Sequence, residues 1–447
     1  MKKSRQDGLY LLLVGIAAFV LFAVALRFSS GGSMIDFKMV YHRAGCLVQG
    51  CDPYLKTTSQ HPDRSQLIEP SRDALEQSQF DTIFVYLPAA LPFVAPFAML
   101  SWWVASSLWM LLTGASLILA ACLLWNSGAI HSSDITGVLI AIWLANCAVV
   151  EANGNMAGIV VGLCIIAVWC LLKERFVPAG IVCLAVGLAI KPHDAGLIWL
   201  FFLLAGGVQR KRALQTLAVT AVLGLSSVLW VSAVAPNWVP ELRSNLAEIS
   251  THGSFNDPGP DGLTSKHRNL NVITDLQAAV STFKDDPQIY NPASYLVCGV
   301  LLAAWSIATL RSRYSQRLAW FALATAAPLT MLVSYHRAYD AKILLLTIPA
   351  CAILWAEGGA IGRMAFLVNL AGLVFTGEIS LGILFGLTDD LHINTTTLAG
   401  KIETVLLDRS APLVLLAMSL FYLWIYLRRA GGREDLSQTE TPSPVVP

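Results

Sequence analysis

The chain has 447 residues, 55% of them hydrophobic and only 13% charged, with a mean hydropathy of +0.62. A soluble domain carries about 25% charged residues, so a water-soluble fold is excluded for most of this chain. The formal net charge of +1 is neutral on nucleic acid, and no nucleic-acid partner is expected.

Lys2, Lys3 and Arg5 precede an apolar run from Leu9 to Leu26. That run exceeds a typical signal-peptide core and lacks a convincing cleavage site, so it reads as a first transmembrane helix. The apolar segments that read as membrane helices, this one included, lie near residues 8–28, 103–125, 134–151, 154–172, 177–190, 193–208, 213–234, 293–310, 318–335, 341–357, 361–386 and 410–427. With about 20 apolar residues per span, the expected fold is an all-α polytopic membrane protein of about 12 transmembrane helices. Residues 1–430 form one integral membrane domain. Residues 431–447 form a polar, Pro/Ser/Thr-rich cytoplasmic tail expected to be disordered.

Basic clusters at Lys2/Lys3/Arg5, Lys173/Arg175, Arg210/Lys211/Arg212, Arg311/Arg313/Arg317 and Arg428/Arg429/Arg433 orient the set by the positive-inside rule. All five fall on the cytoplasmic side only if residues 84–100 do not fully cross. Pro88, Pro92 and Pro96 break that segment, each removing a helical hydrogen bond. Both termini are then cytoplasmic. The polar segments 29–83, 153–155, 191–194, 235–292, 334–340 and 387–409 gather on the opposite face. Most cysteines lie in apolar runs as small hydrophobes. Cys46 and Cys51 sit five residues apart in an external loop, where a disulfide and two free thiols are both open readings.

Seven constellations in those external segments stand out for chemistry or structure. Asp36, just beyond the first helix, fits either a general base for a hydroxyl or an N-cap for the next helix. Gly50-Cys51-Asp52-Pro53-Tyr54 reads as a structural turn. Tyr86, within Phe84-Val85-Tyr86-Leu87-Pro88, is an interfacial aromatic or a cavity wall. Asn153-Gly154-Asn155 joins two helices with almost no linker, as a tight turn or as polar groups at functional depth. Lys191 lies between two helices of marginal length, where it needs an anion, either a lipid phosphate or Asp194 nearby. Lys266-His267-Arg268-Asn269 and Ser334-Tyr335-His336-Arg337-Ala338-Tyr339-Asp340 add cations on the outer face, suited to phosphate; an Arg337–Asp340 ion pair is the structural alternative. No Walker loop, HExxH, paired CxxC or Gly-x-Ser-x-Gly occurs, which disfavours an ATP-driven pump, a zincin and a serine hydrolase.

Taken in order, Asp36-Phe37, Tyr41, Gly50-x-Asp52-Pro53-Tyr54, Phe84-x-Tyr86-x-Pro88, Asn153-Gly154-Asn155, Lys191-Pro192 and Ser334-Tyr335-His336 resemble glycosyltransferase family 87. These are polyprenol-phosphate-mannose-dependent enzymes of the GT-C superfamily. Departures occur at Tyr86-Leu87-Pro88, where Tyr-Pro-Pro is common, at Asn153-Gly154-Asn155-Met156, and at Asn269-Leu270-Asn271. The resemblance implies a GT-C-type fold with an extracytoplasmic cavity in a bacterial cytoplasmic membrane. It implies transfer of mannose or another hexose or pentose from a polyprenyl phosphate to a lipid or glycan hydroxyl, with inversion. Asp36 would be the general base. His336, Arg337, Lys191 and Arg268 would bear the leaving phosphate, with Tyr41, Tyr86, Asn153, Asn155, Asn269 and Asp340 completing the site. No cofactor and no metal is implied. Two rivals remain at this level: a lipid-linked sugar flippase or transporter, and a surface-polysaccharide ligase or polymerase with a lipid-diphosphate donor.

Overall fold

The computed structural model describes residues 2–29, 34–56, 83–263, 272–388 and 396–431. The disordered tail expected over 431–447 falls, from residue 432 onward, outside them. So do Arg268 and Asn269.

All regular elements among the described residues are helical. The first is α1 (Lys2–Ser29), followed by the short surface helices α2 (Ile35–Val48) and α3 (Ala90–Ala98). Then come α4 (Trp102–Gly128), α5 (Ser133–Asn153), α6 (Met156–Leu172), α7 (Val177–Ile190), α8 (Pro192–Leu204) and α9 (Gly207–Val234). After α10 (Trp238–Ile249) and α11 (Leu276–Phe283) the bundle resumes with α12 (Pro287–Arg311) and α13 (Gln316–Val333). A 3-10 helix (Asp340–Thr347) leads into α14 (Ile348–Glu357). The chain closes with α15 (Gly359–Phe375), α16 (Glu378–Thr388), α17 (Leu398–Leu407) and α18 (Ser410–Gly431).

Among the described residues, six helices (α1, α4, α5, α9, α12, α18) are long and apolar enough to cross a bilayer, or seven if α15 and α16 count as one bent span. The expected dozen requires shorter helices such as α6, α7 and α8 to cross as well. The protein is thus a multi-pass membrane protein, and its lipid-facing surface is visible. Leu13, Val14 and Leu21 of α1, Val222, Leu225 and Leu229 of α9, and Leu296 and Val300 of α12 are all exposed. A continuous apolar surface of that kind is stable against hydrocarbon, not water. Inside, helices approach closely through small residues, the usual membrane solution: a methyl on Gly15 of α1 would lie 2.6 Å from Ala141 Cα of α5.

The proline-broken segment 84–100 does not make a spanning helix. Only Ala90–Ala98 is helical, about 14 Å at 1.5 Å per residue, against roughly 30 Å of hydrocarbon.

Two expected helices are interrupted. Residues 341–357 begin as eight residues of 3-10 helix. Its carboxylate, ammonium and hydroxyl groups (Asp340, Lys342, Thr347) are engaged with distant partners, Lys191, Glu378 and Asn369, and these long-range ties compete with regular α winding. Residues 361–386 are broken between Phe375 and Glu378 by a 76° bend. There Thr376 turns its hydroxyl back to the Gly372 carbonyl, 2.7 Å away, and Glu378 pairs with Lys342.

Candidate functional site

One end of the bundle carries a cavity of about 350 Å³ whose wall includes Asp36, Tyr86, Asn155, Lys191, His193, Tyr335, Tyr339 and Asp340. These residues come from five separate segments, and local geometry explains how each arrives.

Asp36 sits in the first turn of α2, not at its cap. The capping position is Met34, which makes no side-chain cap bond. The carboxylate is instead spoken for by a distant residue: Asn155 Nδ2 donates to Asp36 Oδ2 at 2.8 Å. Asn155 is itself the N-cap of α6, its Oδ1 accepting from the Ala157 N–H at 2.8 Å. That bond fixes which end of the amide is which, so a donor faces Asp36. Gly154 makes the approach feasible. Its φ of +65° closes α5 in the left-handed region, and a Cβ there would lie 2.7 Å from Phe37 Cβ and 2.9 Å from Met34 Cε. Trp109 then clamps the turn by donating to the Gly154 carbonyl at 3.1 Å while stacking on Phe37, centroids 4.5 Å apart. Burial raises the Asp36 carboxyl above its ordinary range, against the pull of Asn155, Arg337 and Lys191. A carboxylate so placed is a stronger proton acceptor than a solvated one.

The Gly50–Tyr54 turn is structural. Asp52 Oδ1 accepts from the Tyr54 N–H at 2.8 Å, Cys46 and Cys51 form a disulfide, and Tyr54 donates to the Tyr86 carbonyl at 2.9 Å. Asn245 of α10 donates to both the Tyr54 and Phe84 carbonyls at 3.0 Å. The irregular stretch 84–88 is thereby held by protein, as non-helical backbone near a membrane requires, and Tyr86 faces the cavity.

Lys191, at the joint of α7 and α8, is buried on the cavity wall with two carboxylates. It pairs with Asp340 and lies 3.4 Å from Asp194 Oδ2. Asp340 also accepts from the Arg337 N–H at 2.9 Å, closing the 335–340 turn. The anions that Lys191 needs are therefore supplied internally, by Asp340 more closely than by Asp194.

Arg337 is fully buried and absent from the cavity lining. Its guanidinium donates to the Phe255 carbonyl at 2.8 Å and to Asn256 Oδ1 at 3.2 Å, and stacks over the Phe255 ring at 3.9 Å. A short antiparallel bridge joins Ile273 to Arg337, with Thr274 N donating to the His336 carbonyl at 2.9 Å. Arg337 therefore acts as a tie that brings Phe255 and Asn256, in the segment between α10 and α11, onto the cavity.

His336 is likewise behind the wall. Its Nδ1 is 2.7 Å from the Ser334 carbonyl and its Nε2 is 3.1 Å from Asp194 Oδ1.

Of the residues expected from sequence, the structure gathers Asp36, Tyr86, Asn155, Lys191 and Asp340 around one space, with His336 and Arg337 directly behind it. Tyr41 is elsewhere: its hydroxyl donates to the Leu100 carbonyl at 2.7 Å, and its ring packs against Trp102. Asn153 is half-buried and outside the lining. The lining residues His193, Tyr335, Tyr339, Phe255 and Asn256 were not singled out as site residues. The first three lie in polar links already of interest, whereas Phe255 and Asn256 carry no periodic or motif signal.

The cavity joins a buried carboxylate, a paired lysine and three tyrosines, which suits a polar ligand with an acidic group and a reacting hydroxyl. Neither the curated proteins nor the solved structures contain a match to the chain. The model of glycosyltransferase family 87 matches residues 84–334, a stretch that holds Tyr86, Asn155 and Lys191 and ends just before His336. With that match covering more than half of its length, on a multi-pass helical bundle, the chain belongs to glycosyltransferase family 87 and is a membrane glycosyltransferase.

Proposed function

We propose that the protein transfers a hexose or pentose, mannose being the first candidate, from a polyprenyl-phosphate donor to a hydroxyl of a lipid or glycan acceptor. The observation that carries this is Asp36, a buried carboxylate on the cavity wall, oriented by Asn155 and across the same space from Lys191. Asp36 takes the acceptor proton as the hydroxyl oxygen bonds to the anomeric carbon. The carbon–oxygen bond to phosphate breaks on the opposite face, so configuration inverts and the polyprenyl phosphate leaves.

Lys191 is the cation on the wall for the charge that develops on the leaving group; preorganised charge of this kind is usually the largest contribution to catalysis. Tyr86, Tyr335 and Tyr339 offer hydroxyls and ring faces to the sugar. The polyprenyl tail remains in the bilayer, and a GT-C-type arrangement follows. The cavity opens on the extracytoplasmic face of a bacterial cytoplasmic membrane, with both termini inside. Supporting that orientation are the disulfide in the 46–51 loop, a bond of oxidising compartments, and the basic clusters at the bundle's other end.

The test is release of polyprenyl monophosphate from a labelled polyprenyl-phosphate sugar by protein in nanodiscs. Asp36→Asn is expected to lower turnover by about 10²–10⁴-fold, the usual contribution of a general base, with donor affinity retained. Undiminished turnover in that variant removes Asp36 from the role. Release of a diphosphate, or transport without transfer, overturns the donor assignment.

A further inference from the structure

We propose that His193, Asp194 and His336 form a binding site for a single divalent transition-metal ion of the zinc class, on the wall of the cavity beside Lys191. His193 and Asp194 open α8, and His336, 142 residues further along the chain than Asp194, is brought against them by the 335–340 turn. One ligand atom from each lies within 4.8 Å of the others. His336 Nε2 is 3.1 Å from Asp194 Oδ1, and His193 Nε2 is 3.8 Å from the same oxygen. Ligands at 2.0–2.2 Å from a tetrahedral zinc lie about 3.3 Å apart, so small side-chain rotations complete the set. Two imidazoles and one carboxylate select zinc and its neighbours over magnesium or calcium, which prefer oxygen.

Beyond proximity, Asp194 is held by ion-pair contacts, with His336 at 3.1 Å and Lys191 at 3.4 Å. Asp194 and His336 are both more than nine-tenths buried, yet neither carboxylate oxygen of Asp194 accepts a hydrogen bond and His336 Nε2 makes none. At 3.1 Å the His336–Asp194 contact is an ion pair, and a metal ion between the two would take the place of the shared proton. The other imidazole nitrogen of His336 is 2.7 Å from the Ser334 carbonyl, the outer contact that holds a metal-binding histidine in one tautomer and orientation. Lys191, 3.4 Å from Asp194 Oδ2, plays the corresponding part for the carboxylate and leaves Oδ1 to the metal.

Charge also fits. Among the described residues around the cavity, the carboxylates of Asp36, Asp194 and Asp340 outnumber the fixed cations Lys191 and Arg337. A divalent ion reverses that balance in favour of an anionic ligand. His193 is the member of the triad on the cavity lining, so the open coordination position faces the ligand space. Resting on the donor reading above, that position takes an oxygen of the donor phosphate.

The test uses the full-length chain in nanodiscs, stripped with EDTA and then dialysed against Zn²⁺ or Co²⁺. Wild type and Asp36→Asn are expected to retain one equivalent by elemental analysis, and the cobalt form to show the intense visible bands of a tetrahedral site. His193→Ala, a partly exposed position whose loss spares the fold, is expected to weaken binding by more than about 100-fold, beyond the cost of losing an outer partner. His336→Ala is expected to do the same. Thermal melting in EDTA reports whether each variant folds. No metal uptake by wild type, or uptake unchanged in folded His193→Ala, overturns the site. Uptake is read without substrate, so metal binding with no polyprenyl-phosphate turnover overturns the donor reading alone. Full turnover by protein that takes up no metal overturns the metal site alone.

Discussion

The two ends of the helix bundle hold their charges in opposite ways. At the cavity end Lys191, Asp194, Asp340 and Arg337 are buried, each engaged with groups from other segments. At the other end the carboxylates are more exposed and pair with arginines: Glu174 with Arg212 at 3.2 Å, and Glu357 with both Arg317 and Arg429. Glu174 is 64% exposed and Glu357 32%. Exposed pairs contribute roughly 0–1 kcal/mol. Buried charges have a large desolvation cost, and stripping one of its partner costs about 3–5 kcal/mol. The basic end holds its charges at little cost, whereas the cavity end holds groups that are expensive to bury.

That contrast breaks most readily at Lys191. Lys191→Met leaves Asp340 and Asp194 buried without their cation, and is expected to destabilise the protein by about 3–5 kcal/mol. Thermal melting in nanodiscs measures it. Adding Asp340→Asn is expected to restore part of the stability but no turnover; full recovery of turnover removes Lys191 from the chemistry.

Gly154→Ala comes next. A left-handed backbone and a 2.7 Å contact with Phe37 predict a loss of about 1–3 kcal/mol, together with reduced turnover as α2 and Asp36 are pushed away from Asn155. Stability falling with turnover intact would separate the turn from the site.

Asn155→Ala probes Asp36 itself. Burial raises the Asp36 carboxyl and the Asn155 bond lowers it, so deleting the amide moves it further up. The base works only when ionised. Activity is therefore lost as pH falls through the Asp36 pKa, and the acid limb of the pH–rate profile is expected to shift to higher pH in Asn155→Ala. A hydrogen bond to a charged group contributes about 1.5–3 kcal/mol, and a limb that does not move argues against Asp36 as the titrating group.

Glu357→Gln at the opposite end is expected to change stability by less than about 1 kcal/mol and turnover not at all. A large loss in either quantity would dissolve the contrast between the two ends.

Much of this organisation is legible in the amino-acid pattern. Apolar runs mark the helices because hydrocarbon tolerates little else, and Pro88, Pro92 and Pro96 announce that 84–100 is not a span. The polar links at 36, 153–155, 191–194 and 335–340 stand out for the same reason, and four of them meet at the cavity. What the pattern does not carry is direction. Arg337 and His336 sit beside Tyr335 in sequence, but the turn sends the tyrosine to the cavity and the other two behind it. Tyr41 is one helical turn from Phe37 and follows it toward Trp102 instead of turning to the cavity. The breaks at 340–347 and 375–378 coincide with ties to residues distant in sequence, Lys191 and Glu378 with the first and Lys342 with the second, which local propensity does not register.

Lys191 has two carboxylates, and they differ in when they exist. A chain synthesised from its N-terminus produces Lys191 and Asp194 almost together, three residues apart. Asp340, the closer partner in the finished protein, arrives 149 residues later. Until the second half of the bundle is made, Asp194 is the carboxylate available to accompany the lysine, and Asp340 takes the nearer position only once the cavity itself can close.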